Sequence, residues 1–240
     1  MPSKNIIKTY VENGFYHIYN RGVEKRKIFL DDHDYCVFLS YLKIYLSPKE
    51  ESIENIVNNR DNHYNNFEII NKNITEIYTL NNFYNKIDLI SYVLMPNHFH
   101  LELKQIGKKD IEFFMRSLIT KYSKYFNKKY SRVGPLFQSR YKAVLIQNTE
   151  YLLYLSKYIH LNPVELLLQG QGQSLEEYPW SSYPVYLNRY TTSWLKVNFI
   201  KTNFLINGVY LVENYKKFIE QDKNEKDPKS KEFKNLKIDS

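Results

Sequence analysis

The run KIDLISYVLMPNHFHLELK, residues 86–104, restricts the fold more than any other part of the chain. Residues 86–94 and 98–104 each read as a strand, and MPN (95–97) between them reads as a tight corner, because Pro96 has no N–H to give a central ladder. Strands joined this closely run back antiparallel. Residues two apart on a strand point the same way. Phe99, Leu101 and Leu103 therefore share one side, which belongs to a core. His98, His100, Glu102 and Lys104 share the other, which has to be solvent, a cleft or a site.

Other segments can be placed around this pair. FYHIYNRG (15–22) is a strand stopped by Gly22. The spacing of Tyr35, Phe38, Leu39, Leu42 and Tyr45 predicts a helix over about 32–46, ended by Ser47 and Pro48. A second helix is expected over 111–130, with Phe114, Leu118, Tyr122, Tyr125 and Phe126 as its stripe. A strand follows in the second half of GPLFQSRYKAVLIQ (134–147). Asn148 or Thr149 can cap a helix that runs to about His160 before Pro163 closes it. The order β-α-β-β-α-β-α gives an α+β fold: a ferredoxin-like antiparallel sheet with helices packed on it. Residues 49–85 are rich in Asn and charge and read as an insertion or long loop. A last helix is expected around 208–220, followed by a charged tail over 222–240. Two parts result: residues 1–189, and a helical extension with its tail over 190–240.

Composition narrows the function classes. The net charge of +8 favours polyanionic partners. Cys36 is the only cysteine, which excludes an intrachain disulfide framework and thiolate-built zinc sites. No apolar run approaches the ~20 residues that a membrane span needs, and the N-terminal MPSKNIIKTYVENG lacks the apolar core of a signal peptide. A soluble, cytoplasmic protein is expected. The 23 Tyr and 14 Phe stand among many Lys, Asn and Ile, a bias that an AT-rich genome alone would produce.

Two imidazoles on one strand face suit a divalent metal with open coordination positions. The same spacing suits two exposed histidines on a polar face. Partners for a metal site stand in YLLYLSKYIHLNPV (151–164), where Tyr158 and Asn162 lie one helical turn apart. An Asn oxygen is a fair ligand for a hard cation, and a phenol one turn back would sit beside it. The alternative is an aromatic stripe on the sheet with Asn162 as a helix end before proline. Spacing leaves both open.

The chain resembles a known family at several points. MPNHFH together with KYIHLNPV is similar to the single-tyrosine HUH (His-hydrophobic-His) transposases, the IS200-like superfamily. YHIYNRG, GPLFQSRYKAVLI and YPWSSY (178–183) are similar to the branch called REP-associated tyrosine transposases. The matching runs are spread over about 15–47 and 86–187, in the family's order. The resemblance implies an HUH-type catalytic domain over 1–189 that cleaves and rejoins single-stranded DNA, often beside a hairpin. It implies His98, His100 and Asn162 as metal ligands, Tyr158 as nucleophile, and Mg²⁺ or Mn²⁺ as cofactor. Asn20 and Arg21 would contact DNA. Relatives include monomers and homodimers.

DNA binding has independent support. Between Lys104 and Lys142 eleven Lys or Arg face only Asp110 and Glu112, a local surplus of nine in a chain whose net charge is +8. Arg116, Lys121, Lys124, Arg140 and Lys142 are the expected phosphate contacts. Tyr122, Tyr125, Tyr130 and Tyr141 are the candidates for stacking on unpaired bases. A solvated helix face with core aromatics fits each residue equally well. Two other functions have to be weighed: a DNA-hairpin binder without catalysis, and a metal enzyme acting on a small substrate. The His98/His100/Tyr158/Asn162 set argues against the first, and the basic stripe argues against the second.

Overall fold

The computed structural model describes residues 10–58, 75, 77–168 and 174–221. The expected tail at 222–240, and residues 59–74 and 76 of the expected insertion, lie outside these residues. Where the insertion begins, Lys49–Asn58 is a helix, α2, continuing just after α1, Asp32–Leu46. Asp31 caps α1 by accepting the Asp34 N–H at 3.0 Å.

Four strands make the main sheet: β1, Phe15–Arg21; β2, Ile87–Met95; β3, His98–Gln105; and β4, Lys142–Ile146. Their spatial order is β2-β3-β1-β4, and every neighbouring pair is antiparallel. With α1 following β1 and α3, Asp110–Lys129, following β3, this is the ferredoxin-like arrangement expected from the sequence. The Pro96 corner is held from outside, since the Pro96 carbonyl accepts from Ile28 N–H at 2.7 Å and the Asn97 carbonyl from Gly22 N–H at 2.9 Å. Gly22 is required there: a Cβ would collide with the Arg26 carbonyl oxygen.

The two sheet faces differ in chemistry. Phe99, Leu101 and Leu103 of β3 pair with Asn20, Ile18 and Tyr16 of β1, respectively. Their face is covered by α1 and α3, where Phe38 meets Phe99 with ring centroids 5.3 Å apart and also packs on Tyr122. On the opposite face the register lines up polar rows. His98 stands beside Arg21, His100 beside Tyr19, which has Lys142 on its other side, and Glu102 beside His17. Over these rows lies α4, Thr149–Leu161, capped by Asn148 Oδ1 accepting from Tyr151 N–H at 2.7 Å.

The remaining elements buttress that second layer. They are short helices α5 (Val164–Leu168), α6 (Tyr183–Tyr186) and α7 (Asn198–Lys201), a hairpin of β5 (Leu205–Ile206) and β6 (Val209–Tyr210), and α8 (Val212–Glu220). The helix expected from about 208 therefore starts four residues later. Asn207 and Gly208 both take positive φ, and they turn the preceding residues into a hairpin instead.

Candidate active site

β3 supplies His98 and His100, whose rings stand nearly perpendicular with centroids 5.1 Å apart. The face they occupy is neither open solvent nor an empty cleft. His98 is 7% exposed, and His100 and Glu102 are fully buried beneath α4. A sequence pattern shows that residues share a face but says nothing of what lies on it.

α4 supplies Tyr158 and Asn162 from consecutive turns. The Asn162 amide donates to the Tyr158 carbonyl at 3.2 Å, which turns the amide oxygen toward the sheet. That oxygen lies 3.4 Å from His98 Nε2. The Tyr158 ring meets His100 edge-on, with centroids 5.3 Å apart and planes at 84°, and its hydroxyl is buried. The structure thus brings together all four residues singled out as catalytic or metal-binding, within one chain.

Each histidine is held through its δ nitrogen. Asn97 Oδ1 lies 2.6 Å from His98 Nδ1, and His17 Nε2 lies 2.7 Å from His100 Nδ1. His98 Nε2 is left facing the Asn162 amide oxygen. His100 Nε2 is buried with no hydrogen-bond partner among the described residues. A divalent cation fits this donor set: two imidazole nitrogens and an amide oxygen, with an orphaned ring nitrogen among them. Burial favours the uncharged rings that metal ligation needs. It pushes the His17 pKa down to about 3. It also takes His100 well below its ordinary value, helped by the nearby His17, His98 and Arg21.

Glu102, on the same face as the histidines, is fully buried. Burial pushes its carboxyl up to about 8, partly offset by Ser91, whose hydroxyl donates to it at 2.6 Å. At neutral pH it is largely protonated, and so is a poor general base. His160, on α4 but turned away from Tyr158, is a strut. Its two nitrogens lie 2.7 Å from Tyr215 Oη and 2.7 Å from Ser182 Oγ.

The residues expected to touch DNA divide between the layers. Arg21 lies on the histidine face beside His98 and is 7% exposed. Asn20 points to the other face, where its amide donates to the Ser139 carbonyl at 3.1 Å. Lys142 is exposed on the edge strand, its ammonium 5.6 Å from the Tyr19 ring centre, and Arg140 is exposed just before that strand. Arg116, Lys121 and Lys124 sit on α3, beyond the sheet from the histidines. Arg116 pairs with Glu112 at 2.9 Å, and the Lys121 ammonium is 6.0 Å from the Tyr41 ring centre.

The tyrosines read as base-stacking candidates have inward roles instead. Tyr122 is fully buried and donates to the Ile28 carbonyl at 2.5 Å. Tyr125 and Tyr130 both donate to the buried Asp34, at 2.8 Å each. Tyr141 is 7% exposed, and its hydroxyl lies 2.6 Å from that of Tyr10. A helix stripe of this spacing packs a core before it meets a ligand.

Two contributors escaped sequence reasoning. Asn97 sits in the corner that had been singled out, one residue before His98. His17 was visible only as part of YHIYNRG, and no spacing rule joins it to a histidine 83 positions later.

Among the described residues no helix is long and apolar enough to cross a membrane. Residues 53–162 match the family described as "Transposase IS200 like". No curated protein sequence matches the chain. Among solved structures the chain is similar to one described as "Structure of the REP associates tyrosine transposase bound to a REP hairpin". The identity is 16% and the TM-score 0.42, with 79% of this chain and 90% of that one covered.

Proposed function

We propose, with the IS200-like transposase segment at residues 53–162 as the premise, that this chain is a metal-dependent strand transferase acting on single-stranded DNA. The observation that carries the reading is convergence. Two imidazoles from β3 stand side by side with ring centroids 5.1 Å apart, the Asn162 amide oxygen lies 3.4 Å from His98 Nε2, and the Tyr158 ring packs edge-on to His100 at 5.3 Å.

His98 Nε2, His100 Nε2 and Asn162 Oδ1 would hold the cation, Mg²⁺ or Mn²⁺. When bound, that cation would neutralise charge on the oxygens of the scissile phosphate. The rest of the chemistry falls to the chain. Tyr158 Oη attacks phosphorus and gives up its proton, which balances the one taken up at the departing oxygen. The P–O3′ bond breaks, and its electron pair leaves on the 3′ oxygen, which takes up a proton. The products are a 5′-phosphotyrosine and a free 3′-hydroxyl. Attack by a 3′-hydroxyl on the phosphotyrosine reverses the step, so rejoining needs no ATP.

Arg21 and Lys142, on the histidine face, suit the phosphates nearest the scissile bond. Arg140 suits those at the sheet edge. Arg116, Lys121 and Lys124 suit DNA reaching the far side of α3. A hairpin-flanked strand is the substrate that the sequence resemblance favours. The set is complete in one chain, so a monomer can act without a partner's tyrosine helix. Its place of action would be the cytoplasm.

A nicking assay on a hairpin-flanked single strand tests this, with Tyr158→Phe beside the parent and with or without Mg²⁺. The parent should nick only with the cation and leave a covalent protein–DNA band, and the variant should do neither. Nicking that survives in the variant removes Tyr158 from its role. Tight binding without nicking in the parent favours a hairpin-binding protein.

A further inference from the structure

We propose that His17 is a positioning residue for His100: its Nε2 accepts the Nδ1–H of His100 and so fixes that ring with the Nε2 lone pair turned toward the cation position. The inference rests on the metal reading above and extends it to a residue outside the ligand set.

The geometry is specific. The two nitrogens are 2.7 Å apart, both rings are fully buried, and the rings lie edge to edge and nearly coplanar, with centroids 5.0 Å apart and planes within 12°. The Tyr19 ring packs against both, its centroid 4.7 Å from that of His17 and 5.8 Å from that of His100. A neutral imidazole carries one donor and one acceptor nitrogen, so the bond allows two arrangements. If His17 donates, His100 has to carry its proton on Nε2. That N–H would then point at the donor set with no acceptor among the described residues. If His100 donates, Nε2 is a bare lone pair, the form that a cation requires. The second arrangement repeats what Asn97 does for His98, and metal-binding histidines are commonly oriented through their other nitrogen in this way.

In the second arrangement His17 carries its own proton on Nδ1, which is buried with no partner among the described residues. Glu102 stands directly opposite His17 in the strand register. Its Oε1 is likewise buried and unpartnered among the described residues. The two atoms share a face and a row but make no hydrogen bond with each other.

The test needs a readout other than DNA cleavage. Long-range ¹H–¹⁵N spectra of the metal-free parent should show His100 neutral and protonated at Nδ1, and an Nε2–H form would overturn the proposal. Mn²⁺ affinity, read by electron paramagnetic resonance, should fall about 10–100-fold in His17→Phe, which keeps a ring but removes the acceptor. His17→Gln, whose amide oxygen can accept the same proton, should stay within about threefold of the parent. Thermal melting checks that both variants fold. Equal affinity in parent and His17→Phe, or equal loss in both variants, would reduce His17 to packing and overturn its role alone. A parent with the Nδ1–H form that binds no Mn²⁺ would overturn the metal reading, and with it the purpose assigned to His17.

Discussion

At the scale of single residues, the site is a set of groups whose charge burial has suppressed, and this has measurable consequences. The Glu102 carboxyl is pushed up to about 8 by burial, while the unfolded chain titrates near its ordinary ~4.3. Between those values the folded state holds a proton that the unfolded state has lost. Stability therefore falls as pH rises from about 4.5 to 8. Glu102→Gln keeps the shape and can still accept from Ser91. It should exceed the parent by roughly 4–5 kcal/mol at pH 8 and match it near pH 4.5, read by urea unfolding at both values. A parent whose stability is flat across that window would contradict a buried, protonated carboxyl. The residue types of the site were legible in the sequence: two histidines on one strand face, and a phenol and an amide one turn apart. Their partners were not. His17 reaches His100 through strand pairing, and Glu102 is buried because α4 lies over it. Neither fact is encoded in spacing along the chain.

At the scale of elements, α4 matters most, because one rigid helix carries both the proposed nucleophile and the third ligand. Its pose is fixed by a buried polar network. His160 bridges Tyr215 of α8 to Ser182, and Tyr215 also donates to Ser156 at 3.3 Å. Tyr215→Phe leaves the packing but removes that hydroxyl. It should cost roughly 1–3 kcal/mol in urea unfolding, and it should weaken Mn²⁺ binding if the pose of α4 sets the donor geometry. Burial pushes His160 down to about 3, against ~6.5 in an unfolded chain. The unfolded state gains the proton first, so the stability from this group is complete above pH 6.5 and drains as pH falls toward 3. The expected slope is about 1.4 kcal/mol per pH unit for each such histidine. Because burial also pushes His17 down to about 3, the parent should lose stability steeply below pH 6, and His160→Gln should flatten that slope by one share. The strands and helices expected between β1 and α4 were legible because each has a period or a cap of its own. The β5–β6 hairpin carries an equally local signal in Asn207-Gly208, but its two-residue strands are too short to show a period, so the segment was read as part of a helix.

Seen as a whole, the molecule is a sheet between two unlike layers: an aromatic core under α1 and α3, and a polar interior under α4. This divides the basic surplus. Arg140→Ala and Lys142→Ala, at the edge of the histidine face, should lower cleavage more than Lys121→Ala combined with Lys124→Ala. For a single strand, each phosphate that a substitution leaves unneutralised should reduce the slope of log affinity against log salt by about 0.7. Equal effects from both pairs would mean that the DNA does not follow the histidine face. The sequence by itself determined the topology and the kinds of chemistry available. Alternation, helical period, caps and the Pro96 corner are local, and so is the residue inventory of the site. Only the tertiary structure decided which nitrogen meets which, that both sheet faces are closed, and that the tyrosines beside the lysines turn inward. Those outcomes depend on strand register and layer packing, which join residues far apart in the chain and have no period along it.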